Sequence, residues 1–97
     1  MSRSYESLYI VHPELTEEQV SAIMAKYKQI VEEKGGEVEN LSRWEKRRLA
    51  YDVKGLGEGI YILMHFKSNP DAAAELDRLQ KISDDVLRHI IVRLDES

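Results

Sequence analysis

The 97-residue chain has no cysteine, two prolines, one tryptophan and one phenylalanine. Without a thiol it can form no disulfide, no thiolate nucleophile and no cysteine-ligated iron–sulfur cluster, which fits a reducing, cytoplasmic setting. No apolar run approaches the roughly 20 residues that a membrane-spanning helix requires. The opening residues Met1-Ser2-Arg3-Ser4-Tyr5 lack the apolar core of a signal peptide, so the expectation is a chain that stays where it is made. Excess positive charge is also missing: eighteen acidic residues against fourteen basic ones leave a net charge of −4. Domains that grip phosphates unaided are strongly basic. Any contact with RNA is therefore expected to run through a local patch, for which a basic partner is one source of help.

What is present describes an ordinary soluble globular protein, with 42 % hydrophobic and 33 % charged residues. The length suits a single domain over residues 1–97 with a modest core. Tyr5 to His12 reads as a strand with large apolar groups on both faces, ended by Pro13. Thr16-Glu17-Glu18-Gln19 has the spacing of a capping box. Val20, Ile23, Met24, Tyr27, Ile30 and Val31 then form one apolar stripe at helical spacing. Gly35-Gly36 stops that helix by supplying positive φ.

Glu37 to Lys54 is long and mostly extended. Its apolar positions Val38, Leu41 and Trp44 break strict alternation, which predicts a bulge or bend near Ser42–Glu45. Gly55 to Gly59 reads as a turn, and Ile60 to Phe66 as the most hydrophobic strand. Asn69 and Pro70 open a second helix, as cap and first position, with Ala72, Leu76 and Leu79 facing inward. After Ser83-Asp84-Asp85, Val86 to Leu94 forms the last strand, apolar on both faces at Ile90-Ile91-Val92.

Strand, helix, strand, strand, helix, strand is the order of two right-handed β-α-β units sharing one antiparallel sheet. The expected class is α+β, a ferredoxin-like split β-α-β fold with a four-stranded antiparallel sheet in the order four, one, three, two. Both helices lie on one face. If Ser7, Tyr9, Ile62 and Met64 meet the helices, then Leu8, Ile10, Tyr61 and Leu63 point to the uncovered side, an apolar docking face.

The most informative segment is Glu45 to Lys54. Lys46, Arg47 and Arg48 run straight into an alternating strand carrying Leu49, Tyr51 and Val53 on one side. Guanidinium groups on a stiff strand suit a phosphate backbone; the plain alternative is a solvated strand end.

Nothing points to catalysis. His12 and His89 fall toward one rim of the proposed sheet and His65 at the other, and no third ligand is fixed by spacing. The carboxylates sit on helix faces and turns, and no nucleophile–base pair is visible. His12-Pro13-Glu14-Leu15 is not the glycine-rich, arginine-bearing loop of an acylphosphatase. Glu58-Gly59-Ile60-Tyr61-Ile62 lacks the basic and first aromatic positions of an RNA-recognition motif.

Taken together, the residues resemble the bacterial small-subunit ribosomal protein six family over nearly the whole chain. The resemblance is carried by Tyr5-Glu6, Pro13, Gly35-Gly36 before Val38-Glu39, and Asp85-Val86-Leu87-Arg88. Its most specific part is Lys46-Arg47-Arg48-Leu49-Ala50-Tyr51 followed by Gly59-Ile60-Tyr61. Glu45 stands where the family usually has glycine, and no long acidic tail follows the last strand. The resemblance implies a non-catalytic ribosomal protein, without metal, cofactor or small-molecule substrate. It would bind the central domain of small-subunit ribosomal RNA together with ribosomal protein eighteen. It makes Lys46, Arg47, Arg48 and Tyr51 the first candidates for the RNA or partner surface, with Arg88 and Arg93 behind them. Trp44 either packs under the strand bend or stacks on the partner. The competing class is a small ligand-binding or regulatory homodimer of the same fold, self-associating through the apolar sheet face. Solution mass with and without ribosomal protein eighteen separates the two.

Overall fold

The computed structural model describes residues 2–53 and 56–94, with the side chains of 44–53 and 56–58 outside the described set. The elements are β1 (Arg3–Val11), α1 (Glu17–Glu33), β2 (Glu37–Val53), β3 (Leu56–Ser68), α2 (Pro70–Ile82) and β4 (Val86–Arg93). They form one sheet in the order β2-β3-β1-β4, antiparallel throughout. This is the expected split β-α-β arrangement.

Local chemistry explains most boundaries. The Gln19 backbone N–H donates to Thr16 Oγ1 at 3.1 Å, and the Thr16 N–H donates to Gln19 Oε1 at 2.8 Å, closing the capping box that starts α1. Gly35, at φ +83, ends it in the left-handed region. Pro70 opens α2 at a position that needs no N–H, but the Asn69 side chain makes no capping hydrogen bond. β3 starts at Leu56, inside the segment read as a turn, because residues 56–59 continue the ladder to β2.

β2 departs from regular pairing more than expected. Val38 pairs with Phe66, but Asn40 already pairs with His65. The extra residue switches parity, so that Leu41 and Arg43 follow Val38 onto the helix-facing side. A second irregularity lies between Trp44 and Arg47, close to the predicted bend.

The core lies between helices and sheet. Tyr9, Ile62, Met64 and Phe66 from the central strands meet Val20, Tyr27 and Val31 of α1 and Leu76 of α2. Tyr5 stacks on Phe66 at 5.4 Å, and Tyr9 meets Tyr27 edge-on at 5.2 Å. Ser7, facing α2, accepts a 3.2 Å hydrogen bond from Gln80 Nε2, so a polar pair joins sheet to helix inside the apolar layer.

Gly59 shows why its position is restricted. A Cβ there would lie 2.5 Å from Ile10 Cγ2. Ile10 leans over this gap and is buried, at 7 % exposure, although it lies on the face without helices. Gly59→Ala should therefore destabilise the domain by about 1–3 kcal/mol, as overpacking does; urea unfolding monitored by circular dichroism measures the loss.

Burial, and secondarily the neighbouring Tyr27, raises the Tyr9 hydroxyl far above its ordinary pKa of 10.0. Burial also raises Tyr27, against a hydrogen bond with Ser83 that lowers it. In the unfolded chain both ionise near their ordinary value, while the fold holds them protonated. The stability they contribute is therefore complete below pH 10 and lost as pH rises past it. Unfolding should set in on alkaline titration above that pH, and Tyr9→Phe should blunt the decline. At neutral pH the same substitution removes a buried hydroxyl with no hydrogen-bond partner among the described residues, and should cost less than about 1 kcal/mol.

Candidate RNA and partner interface

The register sorts the uncovered face into rows across β3, β1 and β4. Tyr61, Ile10 and Arg88 form one row; Leu63, Leu8 and Ile90 the next; His65, Glu6 and Val92 the third. The middle row is wholly apolar. Leu8 and Leu63 are half-buried, whereas Ile90 and Val92 of β4, with Leu94 just beyond it, are exposed at 54, 42 and 48 %. The apolar sheet face read from the sequence is thus present, with two adjustments. Ile10 is part of its floor because it fills the space over Gly59. Ile90 and Val92, left out of the expected face, are among its most prominent members. Their signal was available, since an edge strand apolar on both sides must expose one side when helices cover only the other.

The third row is polar. His65 Nε2 and Glu6 Oε1 are 3.0 Å apart, both partly exposed. Beyond them Lys67 Nζ lies 3.5 Å from Glu39. Such pairs near water contribute little to stability but set the charge pattern of the face. His89 lies on the helix-facing side, 2.9 Å from Asp77 of α2. Among the described residues, no three histidine, aspartate or glutamate side chains converge on one point as metal ligands would.

The basic run lies on a projecting ribbon. β1 ends where Val11 pairs with Ile60, so residues 56–59 of β3 pair only with β2. Arg47 is in register with Gly59 and Arg48 with Glu58. The side chains of Lys46, Arg47, Arg48 and Tyr51 lie outside the described residues, as does that of Trp44, whose backbone pairs with Tyr61. The two arginines of β4 separate. Arg88 pairs with Ile10 on the uncovered side, while Arg93 pairs with Tyr5 and has helix-facing parity; both are exposed. They do not belong to one patch.

Charge is segregated as well. Residues 14–34 and 70–85, the helices and their turns, contain ten carboxylates and five basic groups. The remaining residues carry eight acidic and nine basic groups, so the negative balance belongs to the helical layer.

The family model described as Ribosomal protein S6 matches residues 4–93. The chain is 57 % identical over 91 residues to the small ribosomal subunit protein bS6 of Desulforamulus reducens, covering 94 % of this chain and 96 % of that one. It is 51 % identical to the bS6 of Carboxydothermus hydrogenoformans, over 99 % of this chain and all of the relative. The crystal structure of 30S ribosomal protein S6 from Thermotoga maritima superposes with a TM-score of 0.88 at 27 % identity, covering 97 % of this chain and 89 % of that one. The C-terminal domain of MgtC from Mycobacterium tuberculosis, at TM-score 0.65 and 11 % identity, shares the fold alone; 97 % of this chain and 89 % of that one are covered. With the fold and nearly the full length in common with bS6 proteins, the chain belongs to the ribosomal protein S6 family, a structural, non-enzymatic component of the small ribosomal subunit in the cytoplasm.

Proposed function

We propose that the chain binds the central domain of small-subunit ribosomal RNA as a heterodimer with ribosomal protein eighteen. The observation that carries this reading is the division of the surface. An apolar row from Leu63 through Leu8 to Ile90 lies open on the sheet, and the sequence's one three-residue basic run lies on the neighbouring ribbon. Two chemically different surfaces suit two partners. The apolar row, with Tyr61 beside it and Ile10 beneath, receives the protein. Lys46, Arg47, Arg48 and Tyr51 meet RNA or the shared RNA–protein boundary. Arg88, on the same side as the apolar row, is the stronger of the two β4 candidates; Arg93, of opposite parity, is the weaker.

A basic partner also resolves the charge problem, since a chain of net charge −4 holds RNA poorly by itself. Acidic helices pointing away from the nucleic acid keep repulsion small over several ångströms of salt solution.

The docking half is tested with Leu63→Glu and Leu8→Glu. Both positions are half-buried, so the carboxylate stays hydrated in the free protein and is desolvated in the complex. The thermal midpoint should change little while affinity for ribosomal protein eighteen falls at least about tenfold. Unchanged affinity, or a stable homodimer indifferent to that protein, refutes this half.

For the RNA half, alanine at Lys46, Arg47 or Arg48 should lower the salt slope of heterodimer–RNA binding by roughly 0.7–0.9 for each phosphate that the side chain neutralises. Arg47→Ala and Arg48→Ala should differ, because consecutive strand residues lie on opposite faces. Equal and negligible effects would return the run to a solvated strand end.

A further inference from the structure

Glu6 is the one carboxylate of β1, one of the two central strands, and lies on the uncovered face one row from Leu8, Leu63 and Ile90. Its side chain is already two-thirds shielded, at 35 % exposure. The groups facing it can be named from each neighbouring element. His65 of β3 lies opposite, with Nε2 at 3.0 Å, and Asn40 of β2 lies beyond it. Val92 of β4 is on the other flank and contributes no charge. Along β1, Ser4 and Leu8 precede and follow it on the same face, and Lys67, opposite Ser4, has its ammonium on Glu39. Among the described residues, no lysine or arginine side chain lies within ion-pair distance of Glu6.

A partner seated on the apolar row removes the remaining water from this carboxylate. Desolvating an ionised carboxylate is strongly unfavourable unless new partners replace the water, and the single contact with His65 leaves the second oxygen of Glu6 without a protein partner among the described residues. A phosphate brings the wrong sign, which argues against nucleic acid as the occupant.

We infer that Glu6 is the charged anchor of the docking face and receives a lysine or arginine of the protein partner, whose apolar side chains cover Leu63, Leu8 and Ile90. This rests on the reading above that the uncovered face docks a protein, and adds the chemistry of the docking segment. Leu8 is two residues from Glu6 on the same strand face, about 7 Å away. The segment therefore presents an apolar group and a cation side by side, as an extended chain does at alternate residues or a helix does one turn apart.

The test measures binding of purified ribosomal protein eighteen to the full chain carrying Glu6→Gln, Glu6→Lys, Glu39→Gln or Leu63→Glu, with thermal unfolding of each variant alongside. Glu6→Gln should weaken binding at least about tenfold. Glu39→Gln makes the same change in net charge at a residue whose partner is Lys67, and should change affinity less than about twofold. Glu6→Lys should nearly abolish binding, and a lysine- or arginine-to-glutamate variant of the partner should restore it. That rescue also shows that the variant folds. If Leu63→Glu breaks the complex and Glu6→Gln leaves it intact, the anchor is overturned and the docking reading stands. If neither has an effect, the docking reading itself fails. Tighter RNA binding by Glu6→Lys would make nucleic acid the occupant. A wild-type homodimer strengthened by Glu6→Gln would make it a second copy. Either outcome overturns the inference.

Discussion

Right-handed crossovers force both helices onto one side of the sheet, and most of the molecule follows from that. Helix α1 connects β1 to β2 and α2 connects β3 to β4, so both helices cover the face formed by Tyr9, Ile62, Met64 and Phe66. The other face receives no helix from the described residues. Alternate residues of each strand therefore live in different environments, and a one-residue slip would exchange core for surface. The bulge between Val38 and Asn40 is where β2 uses this property. Before it, even-numbered Val38 packs against the core; after it, odd-numbered Leu41 does. Without the extra residue, Leu41 would join the bare face and Asn40 would enter the core.

Charge follows the same division. A uniformly acidic protein would repel any polyanion, and this one is not uniform. Carboxylates collect on the helices and turns, where Glu17 and Glu18 also complement the positive end of the α1 dipole. The strands carry a slight basic excess. A formal charge of −4 thus describes the helical layer better than the sheet, and net charge is a poor guide to what the sheet can bind.

The architecture was legible because several independent signals agreed: the Thr16–Gln19 capping box, the glycine pair after α1, Pro70 opening α2 and the strand–helix order. The misreadings came from interactions between strands. Nothing local to Gly55–Gly59 announces that β3 begins at Leu56, because pairing with β2 extends it. Ile10 belongs to the exposed parity yet is buried, because Gly59 on the neighbouring strand leaves room for it. Asn69 has the right type for a cap but makes no such hydrogen bond; its carbonyl instead accepts one from the Ser68 hydroxyl at 2.9 Å. The opposite placement of Arg88 and Arg93 follows from their odd separation along one strand, and was readable in advance. The Glu6–His65 pair needs the register and could not be found by spacing alone.

The bare face raises a physical difficulty that the chain must meet before any partner arrives. β4 is an edge strand whose exposed Ile90 and Val92 would favour pairing with another copy, a recognised hazard of apolar edges. Arg88 and Arg93 stand on either side of the Ile90-Ile91-Val92 run, and no acid lies within the strand. Antiparallel alignment of two β4 edges about Ile91 would set Arg93 of one copy opposite His89 of the other. Alignment about His89 would place two histidines together at the centre. Neither register gains an opposite-charge pair within β4, so charge gives self-pairing no help there. The polar pair of His65 and Glu6 interrupts the apolar surface across β3 and β1, leaving Val92 of β4 as the apolar member of their row. The apolar row is thus bordered by Arg88 on one side and by Glu6 with His65 on the other, so the open face carries both signs of charge around its apolar centre.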